Sequence, residues 1–158
     1  MHEHLALPAN NPRTQALAEK WRQELATDEG IIRRMLDHFR QEKFFYTLTP
    51  PLLAGETAST SSCFETRRGF CEHYASAFVF AMRAAGVPAR VVTGYQGGEE
   101  HPVDGYMIVR QSDAHARAEV WLKDKGWVGR PDCGHRPEPA SKPAWLRPCR
   151  QANPCHSW

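Results

Sequence analysis

The 158-residue sequence has no large excess of charge, since 20 lysines and arginines are set against 18 aspartates and glutamates, a net charge of +2. This gives no electrostatic basis for a nucleic-acid partner, and none is expected. No apolar run approaches the roughly 18 residues that cross a bilayer. The start of the chain also lacks the charged and then apolar segments of a secretory signal. As given, the chain is expected to be soluble, or to be a soluble piece of something larger.

The cysteines are odd in number and irregularly placed. There are five cysteines, and no two have the C-x-x-C spacing. An odd number without that spacing indicates neither a disulfide framework nor a zinc ribbon, so no metal is expected. Four of them lie in two stretches without helical or strand periodicity, and they are Cys63, Cys133, Cys149 and Cys155. Only Cys71 immediately precedes a helical pattern.

The periodicity of apolar residues predicts helices first and strands second. Three helices are expected, from Pro12 to about Thr27, from Asp28 onward, and from about Cys71 to a stop at Gly86. Four strands follow, within 89–96, 105–111, 114–123 and 126–128, with a hairpin turn at 123–126. This order predicts an α+β fold in which a central helix packs on a small antiparallel sheet.

The position of Cys71 favours a nucleophile. At the start of a helix, unpaired backbone N–H groups and the helix dipole stabilise an anion such as a thiolate. The same N–H groups can hold an oxyanion after a carbonyl is attacked. Gly69, just before, would allow close approach of substrate backbone. The alternative is a small buried core cysteine, but Cys71 precedes the apolar stripe of Tyr74, Phe78 and Met82 rather than lying on it.

A thiolate nucleophile requires a base. Among eight histidines, His73 is only two residues from Cys71 and does not share its helix face. His115 begins an alternating segment, "HARAEVWL", and a strand beside the helix start could aim its imidazole at Cys71. The alternative for His115 is a surface strand histidine. We therefore predict Cys71 and His115 as the catalytic pair.

The stretch "FETRRGFCEHYASAFVFAMRAAGVPARVVTGYQGG", followed by "DAHARAEVW" and "GWV", resembles the transglutaminase-like superfamily. It is most similar to bacterial membrane-anchored members that carry the domain outside the inner membrane. The resemblance covers about residues 7–128. It implies a papain-like fold with a Cys-His-Asp triad, in which Cys71 matches the nucleophile and His115 the base. Tyr46 matches an aromatic residue that supports the oxyanion hole, and Arg117 replaces the tryptophan that usually follows His-Ala.

The third triad member departs from the family pattern. The family continues Gly-Trp-Val-x-Val-Asp-Pro-Thr, whereas here Pro131 stands four residues after Trp127 and Asp132 comes one place late. A one-residue slip in a strand turns a side chain to the opposite face. Asp132 is the only nearby carboxylate and is therefore the candidate acid.

The hypothesis is that residues 58–63 and 129–137, where the family pattern fails, are translated from shifted reading frames. Read one base over, the codons that can encode 129–137 permit Val-Asp-Pro-Thr, the family's continuation. Those for 58–63 permit an apolar lead-in to "ETRRGFCEH". The alternative is ordinary loop variation. We predict an N-terminal helical part at 1–42, a transglutaminase-like core at 43–128, and an anomalous, disordered tail at 129–158.

The resemblance implies acyl transfer through a thioester on a protein or peptide glutamine, with an amine donor and no cofactor. The same triad also serves proteolysis, and the sequence does not separate the two. The other alternative is a catalytically impaired fragment or pseudogene product that only binds. In a longer parent anchored in the inner membrane, the domain would lie in the periplasm.

Overall fold

A computed structural model of the chain describes residues 2–7, 11–42, 44–49 and 66–130. The fold is α+β, as the sequence predicts. The α-helices are α1 (Pro12–Glu24), α2 (Asp28–Gln41) and α3 (Cys71–Ala84), and short 3-10 helices span His2–Leu5 and Gln111–Asp113. The strands are β1 (Phe45–Tyr46), β2 (Arg68–Gly69), β3 (Ala89–Tyr95), β4 (Glu99–Glu100), β5 (Met107–Ile108), β6 (Ala114–Leu122) and β7 (Gly126–Arg130).

The hydrophobic core surrounds α3. The predicted stripe of Tyr74, Phe78 and Met82 is buried, but so are most of the residues between them, including several alanines. A helix that is apolar on nearly every side is stable only when it is enclosed. One cluster contains buried residues of α1, α2, α3 and the sheet, and its largest side chains include Trp21, Ile31, Ile32, Met35, Tyr74, Phe78 and Val120. The N-terminal helices therefore belong to the same core as α3.

The C-terminus of α3 ends as its sequence predicts. Gly86 has a φ of +77°, which only glycine adopts without strain. The N–H of Gly86 donates to the carbonyl of Arg83 and that of Val87 to the carbonyl of Met82, both at 2.9 Å. This pair of bonds is a Schellman motif. Arg22 of α1 donates from Nε to the carbonyl of Ala85 at 2.6 Å, which fixes this end of α3 to α1.

The described residues form two compact units. The first contains those up to Thr93 and those from Ala116 onward; the second contains Gly94–His115. A three-stranded sheet has the order β3-β6-β7. The pair β6–β7 is antiparallel, with Val120 opposite Val128, and its turn includes Asp124 at φ 70° and Gly126 at φ 72°. The predicted hairpin is therefore present. In the second unit, β4 and β5 form a separate antiparallel pair.

Three predicted boundaries are wrong. Helix α1 ends at Glu24, because Thr27 is the N-cap of α2 and its hydroxyl accepts a hydrogen bond from the N–H of Gly30 at 3.2 Å. The strand expected within 105–111 is only Met107–Ile108. Strand β7 continues to Arg130, which pairs with Ala118, so it ends two residues after the predicted strand end at Val128. The rest of that tail, and residues 58–63, lie outside the described residues.

Candidate active site

Cys71 is the first residue of α3 and is partly buried, whereas Tyr74 and Ala75, one turn further on, are buried. It forms no disulfide within the described part of the chain, where it is the single cysteine. Phe70, the N-cap residue, provides no side-chain hydrogen bond to the helix start. A thiol at this position lies where the helix dipole and the first backbone N–H groups favour negative charge. The prediction that Cys71 lies at the start of a helix is therefore confirmed.

A short parallel ladder leads the chain into Cys71. Strand β1 pairs with β2, with Phe45 opposite Arg68 and Tyr46 opposite Gly69. The N–H of Phe45 donates to the carbonyl of Arg67 at 2.7 Å, and the N–H of Thr47 donates to that of Gly69 at 2.8 Å. Tyr46, predicted as oxyanion support, therefore lies beside the residue two positions before Cys71. Its ring stacks on Tyr74, with centroids 6.5 Å apart and planes 8° apart.

The turn before β2 has an unusual backbone. Arg67 has a φ of +54°, a conformation that non-glycine residues seldom adopt. Its guanidinium lies 2.8 Å from the carboxylate of Glu42 at the end of α2. This ion pair and the hydrogen bond from Phe45 stabilise the turn that leads into β2.

Gly69 is required by the protein's own packing. A Cβ added there would lie 2.7 Å from Cβ and 2.9 Å from Cγ of His73. These distances are shorter than any ordinary carbon–carbon contact. The space beside Gly69, expected to admit substrate backbone, is occupied at this point by His73 in the first turn of α3.

His73 packs against the segment that leads to Cys71, a contact that the sequence did not predict. Its ring lies edge-on to Phe70 at 4.4 Å, and its Nδ1 is buried with no hydrogen-bond partner among the described residues. Burial lowers the pKa of His73 below 6.5, because the imidazolium would lose hydration, and the carboxylate of Glu72 only partly opposes this. The sequence feature that indicates this contact is Gly69, four residues before the His73 ring at the start of α3.

His115 is the second residue of β6 and the last residue of the second unit, and it is partly buried. Buried and less buried residues alternate along this strand, and the core side is formed by Ala116, Ala118, Val120 and Leu122. Because side chains alternate between the faces of a strand, His115 belongs to the opposite face. Cys71 lies in the first unit, so a distance of about 4 Å between its sulfur and the His115 ring stays a prediction.

The same face of β6 carries an ion pair next to an aromatic pair. Arg90 of β3 donates from Nε and Nη2 to one carboxylate oxygen of Glu119, at 3.0 and 2.8 Å. Its guanidinium lies 4.1 Å from the ring centroid of Trp127, which in turn contacts Trp121 edge-on at 5.7 Å. Arg117, in place of the family's tryptophan, lies 3.6 Å from Glu119. These contacts fix the lateral alignment of β3, β6 and β7.

Asp132, the candidate acid, lies outside the described residues, so its role stays a prediction. In the part of the chain that the structure describes, no group of three or more histidine, cysteine, aspartate or glutamate side chains could hold a metal ion. Within the same residues, no helix is both long and apolar enough to cross a membrane.

A sequence model of the Transglutaminase-like superfamily matches residues 15–129. The chain therefore belongs to the transglutaminase-like superfamily, as the motif around Cys71 predicts. It is 48% identical over 126 residues to a protein-glutamine gamma-glutamyltransferase of Pseudomonas aeruginosa, covering 79% of this chain and 19% of that protein. It is 30% identical over 132 residues to the uncharacterized protein YebA of Bacillus subtilis, covering 79% and 18%. The chain thus spans about a fifth of the length of these relatives.

Solved structures agree with this assignment. The crystal structure of the periplasmic domain of TgpA from P. aeruginosa matches with a TM-score of 0.73 and 46% identity, over 82% of this chain and 45% of that one. The same domain bound to ethylmercury matches equally, at 45% identity over 82% and 46%. A putative cysteine protease from Cytophaga hutchinsonii has a TM-score of 0.60 at 20% identity, over 84% and 41%, and shares the fold.

Proposed function

We propose that the domain is a cysteine-dependent acyltransferase that acts on protein glutamine, with Cys71 as nucleophile and His115 as general base. The observation that carries the proposal is the partly buried Cys71 at the first position of α3, in a chain of this superfamily. The relative named as a protein-glutamine gamma-glutamyltransferase supports the choice of glutamine as substrate.

In the first half-reaction, His115 takes the proton of the Cys71 thiol, and the sulfur attacks the glutamine carboxamide carbon. The oxyanion that forms is stabilised by N–H groups at the start of α3, with Tyr46 beside them. The C–N bond then breaks, ammonia leaves with the proton from His115, and a thioester remains. In the second half-reaction, His115 deprotonates an amine, whose nitrogen attacks the thioester carbon. The thiol is released and an isopeptide remains; water in place of the amine gives glutamate.

The test is incorporation of a fluorescent primary amine into a glutamine-bearing protein. We expect Cys71→Ser and His115→Gln each to lower the rate by about 10⁴-fold or more, because losing a nucleophile or its base removes the whole mechanism. The matched control is His101→Gln, a partly buried histidine that stacks on Tyr106 at 4.5 Å. If His115→Gln incorporates the amine at the wild-type rate, or if His101→Gln loses that activity, the general base is a residue other than His115. Peptide-bond cleavage without amine incorporation would indicate a protease instead.

We further propose Asp132 as the residue that orients the imidazole of His115, in a position weakened by the altered sequence around it. A chain rewritten to Val-Asp-Pro-Thr after the last hairpin should gain activity, by up to about 10⁴-fold, the effect of a triad acid in serine enzymes. If the rewritten and original chains have equal rates and Asp132→Asn is impaired, Asp132 is a competent acid and the tail is not damaged. If the original chain is inactive and only the rewritten one works, the chain as given is an impaired domain.

The relatives also suggest where the domain works. The matched crystal structures are of a periplasmic domain. We propose that the parent of this chain is anchored in the inner membrane and presents the domain to the periplasm, where its glutamine and amine substrates would be proteins. Fractionation of cells that express the full-length parent tests this placement.

A further inference from the structure

The first turn of α3 begins without a hydrogen-bonded side-chain cap. Phe70, the N-cap residue, provides no such bond, so a contribution of about 1 kcal/mol to the helix start is missing. The ring of His73, the third residue of α3, folds back over the two residues before Cys71 instead. Its Nδ1 would lie 3.5 Å from a Cβ at Gly69, and its centroid is 4.4 Å from that of the Phe70 ring. We call Gly69, Phe70 and Cys71 the α3 corner.

Two backbone hydrogen bonds connect the α3 corner to its surroundings. The N–H of Thr47 donates to the carbonyl of Gly69 at 2.8 Å, and the N–H of Tyr74 donates to that of Phe70 at 3.3 Å. The first bond joins the corner to the residue that follows β1, and the second is the first bond within α3. Because the His73 ring packs on both residues whose carbonyls accept these bonds, a displacement of the ring should weaken both of them.

The buried nitrogen of His73 distinguishes the two charge states of the ring. Nδ1 is buried with no hydrogen-bond partner among the described residues. A neutral imidazole carries one N–H, and with that proton on Nε2 the Nδ1 atom is an unpaired acceptor. The imidazolium carries an N–H on both nitrogens, so a charged donor would be buried without an acceptor, which costs more than an unpaired neutral atom. The helix dipole also opposes a cation in the first turn.

The charged and titratable groups around His73 do not offset this cost. The adjacent carboxylate of Glu72 favours the imidazolium, but burial outweighs it and the pKa of His73 is lowered. On β2, the guanidinium of Arg68 lies over an aromatic ring of β1 at 5.9 Å, and Arg67 before it forms an ion pair of 2.8 Å with the C-cap residue of α2. Cys71 does not share a helix face with His73. The neutral ring therefore fits the α3 corner, and the protonated ring does not.

We infer that His73 is a positioning residue for Cys71: its neutral ring stabilises the α3 corner, and a proton on Nδ1 removes that stabilisation. The inference rests on the proposed function, since it treats Cys71 as the nucleophile. It adds to that mechanism a histidine that never takes the proton of the thiol. Acid then displaces the nucleophile through a group other than the general base.

The test is hydrogen exchange of single amides between pH 5 and pH 8, followed by NMR and corrected for the intrinsic dependence of exchange on pH. In the wild-type chain, the equilibrium constants for opening at Thr47 and Tyr74 should rise as the pH falls below 6.5. The rise should be up to about tenfold per pH unit and should stop at the folded-state pKa of His73. The amide of Val87, which donates to a carbonyl at the far end of α3, should show a smaller rise. Equal rises at all three amides, or none at Thr47 and Tyr74, would overturn the inference.

Substitutions separate the ring from its proton. His73→Phe keeps a ring that cannot be protonated, so the rise at Thr47 and Tyr74 should disappear. His73→Ala keeps the Cβ beside Gly69 and removes the ring, so both amides should open readily even at pH 8. The matched control is His38→Gln, at a second histidine whose pKa is lowered by burial, and it should keep the rise. A rise that persists in His73→Phe, or wild-type opening at pH 8 in His73→Ala, contradicts the role assigned to the ring.

Amine incorporation then shows whether the ring acts on Cys71. At pH 8, His73→Ala should lower kcat by about tenfold to 100-fold, the effect of misplacing a reacting group by up to about 1 Å, and should leave KM within about twofold. A role in stability alone would change neither constant while the protein stays folded, so a wild-type kcat in folded His73→Ala refutes the inference. If the proposed function itself fails, no protein incorporates amine, and the exchange data alone decide whether His73 stabilises the corner.

Discussion

The substitution Gly69→Ala tests whether packing at the start of α3 holds Cys71 in place. The added methyl group would lie 2.7 Å from Cβ and 2.9 Å from Cγ of His73. Ordinary carbon–carbon contacts are about 3.5–4.0 Å, so the two atoms must separate by about 1 Å. The obstacle is a Cβ fixed to the helix backbone, and a rotamer change of His73 cannot move it. Either β2 or the first turn of α3 must therefore shift.

Two measurable effects follow. Overpacking of this kind costs about 1–3 kcal/mol of unfolding free energy, measured by urea denaturation. A displacement of about 1 Å at a residue two positions from the nucleophile is also large enough to lower catalysis by about 100-fold. We expect amine incorporation to fall by that order, with a smaller fall in the rate of Cys71 alkylation.

Two further variants test whether the effect of Gly69→Ala comes from its contact with His73: a control substitution at Gly129 and a second substitution at His73. No atom of the described residues lies within 4 Å of a Cβ added at Gly129 of β7, so Gly129→Ala should change stability by less than about 0.5 kcal/mol. Adding His73→Gly to Gly69→Ala removes both close contacts and should restore part of the activity, whereas His73→Ala leaves the Cβ contact and should not. Wild-type stability and activity in Gly69→Ala would show that the corner is not closely packed.

Three other substitutions test single interactions. Arg90→Ala removes the two closest hydrogen bonds of the Glu119 carboxylate, and the Glu119 side chain is only 14% exposed. The substitution should therefore lower the free energy of unfolding, measured by urea titration, by about 2 kcal/mol. His73→Phe should weaken the loss of stability in acid. Because the pKa of His73 is lowered in the folded protein, the neutral ring contributes stability above pH 6.5, and this stability is lost as the pH falls through the folded-state pKa. The free energies of unfolding at pH 5 and pH 8 should therefore differ less in the variant than in the wild type. Thr27→Ala removes the N-cap of α2 and should cost about 1 kcal/mol by thermal unfolding.

Each of these predictions has a control outcome. Arg117 lies 3.6 Å from Glu119 and is more than half exposed, so Arg117→Ala should cost less than about 0.5 kcal/mol, and an equal cost would contradict the importance of the Arg90 geometry. The pKa of His38 is also lowered, chiefly by burial, so His73→Phe should retain part of the acid sensitivity. A larger loss at pH 5 in His73→Phe than in wild type would reverse the argument. For α2, Thr27→Ser should behave as wild type because serine caps equally well.

Local signals in the sequence determined the elements around the candidate site. The start of α3 at Cys71, its end at Gly86 and the hairpin turn before Trp127 each depend on residues within a few positions of one another. A Schellman glycine or a tight turn has a conformational requirement that the chain itself reveals. The family motif, a short run of side chains in fixed order, was visible for the same reason.

The sequence did not reveal how those elements meet, because contacts between distant residues decide it. Thr27 could have ended α1 or begun α2, and only the hydrogen bond to Gly30 settles it as a cap. The parallel pairing of Tyr46 with Gly69 joins segments more than 20 residues apart, and no local pattern specifies a parallel partner. That pairing brings β1 beside the segment that enters Cys71.

The same limit applies to individual side chains. Gly69 looked like a glycine left open for substrate, and the packed structure assigns its space to His73. The alternation of residue types along β6 predicted the strand. Only the burial of Ala116 and Ala118 in the structure showed which face of the strand carries His115. A sequence fixes backbone preferences and the order of chemical groups along the chain. Which atoms fill a given space depends on close packing among elements, and only the tertiary structure decided that.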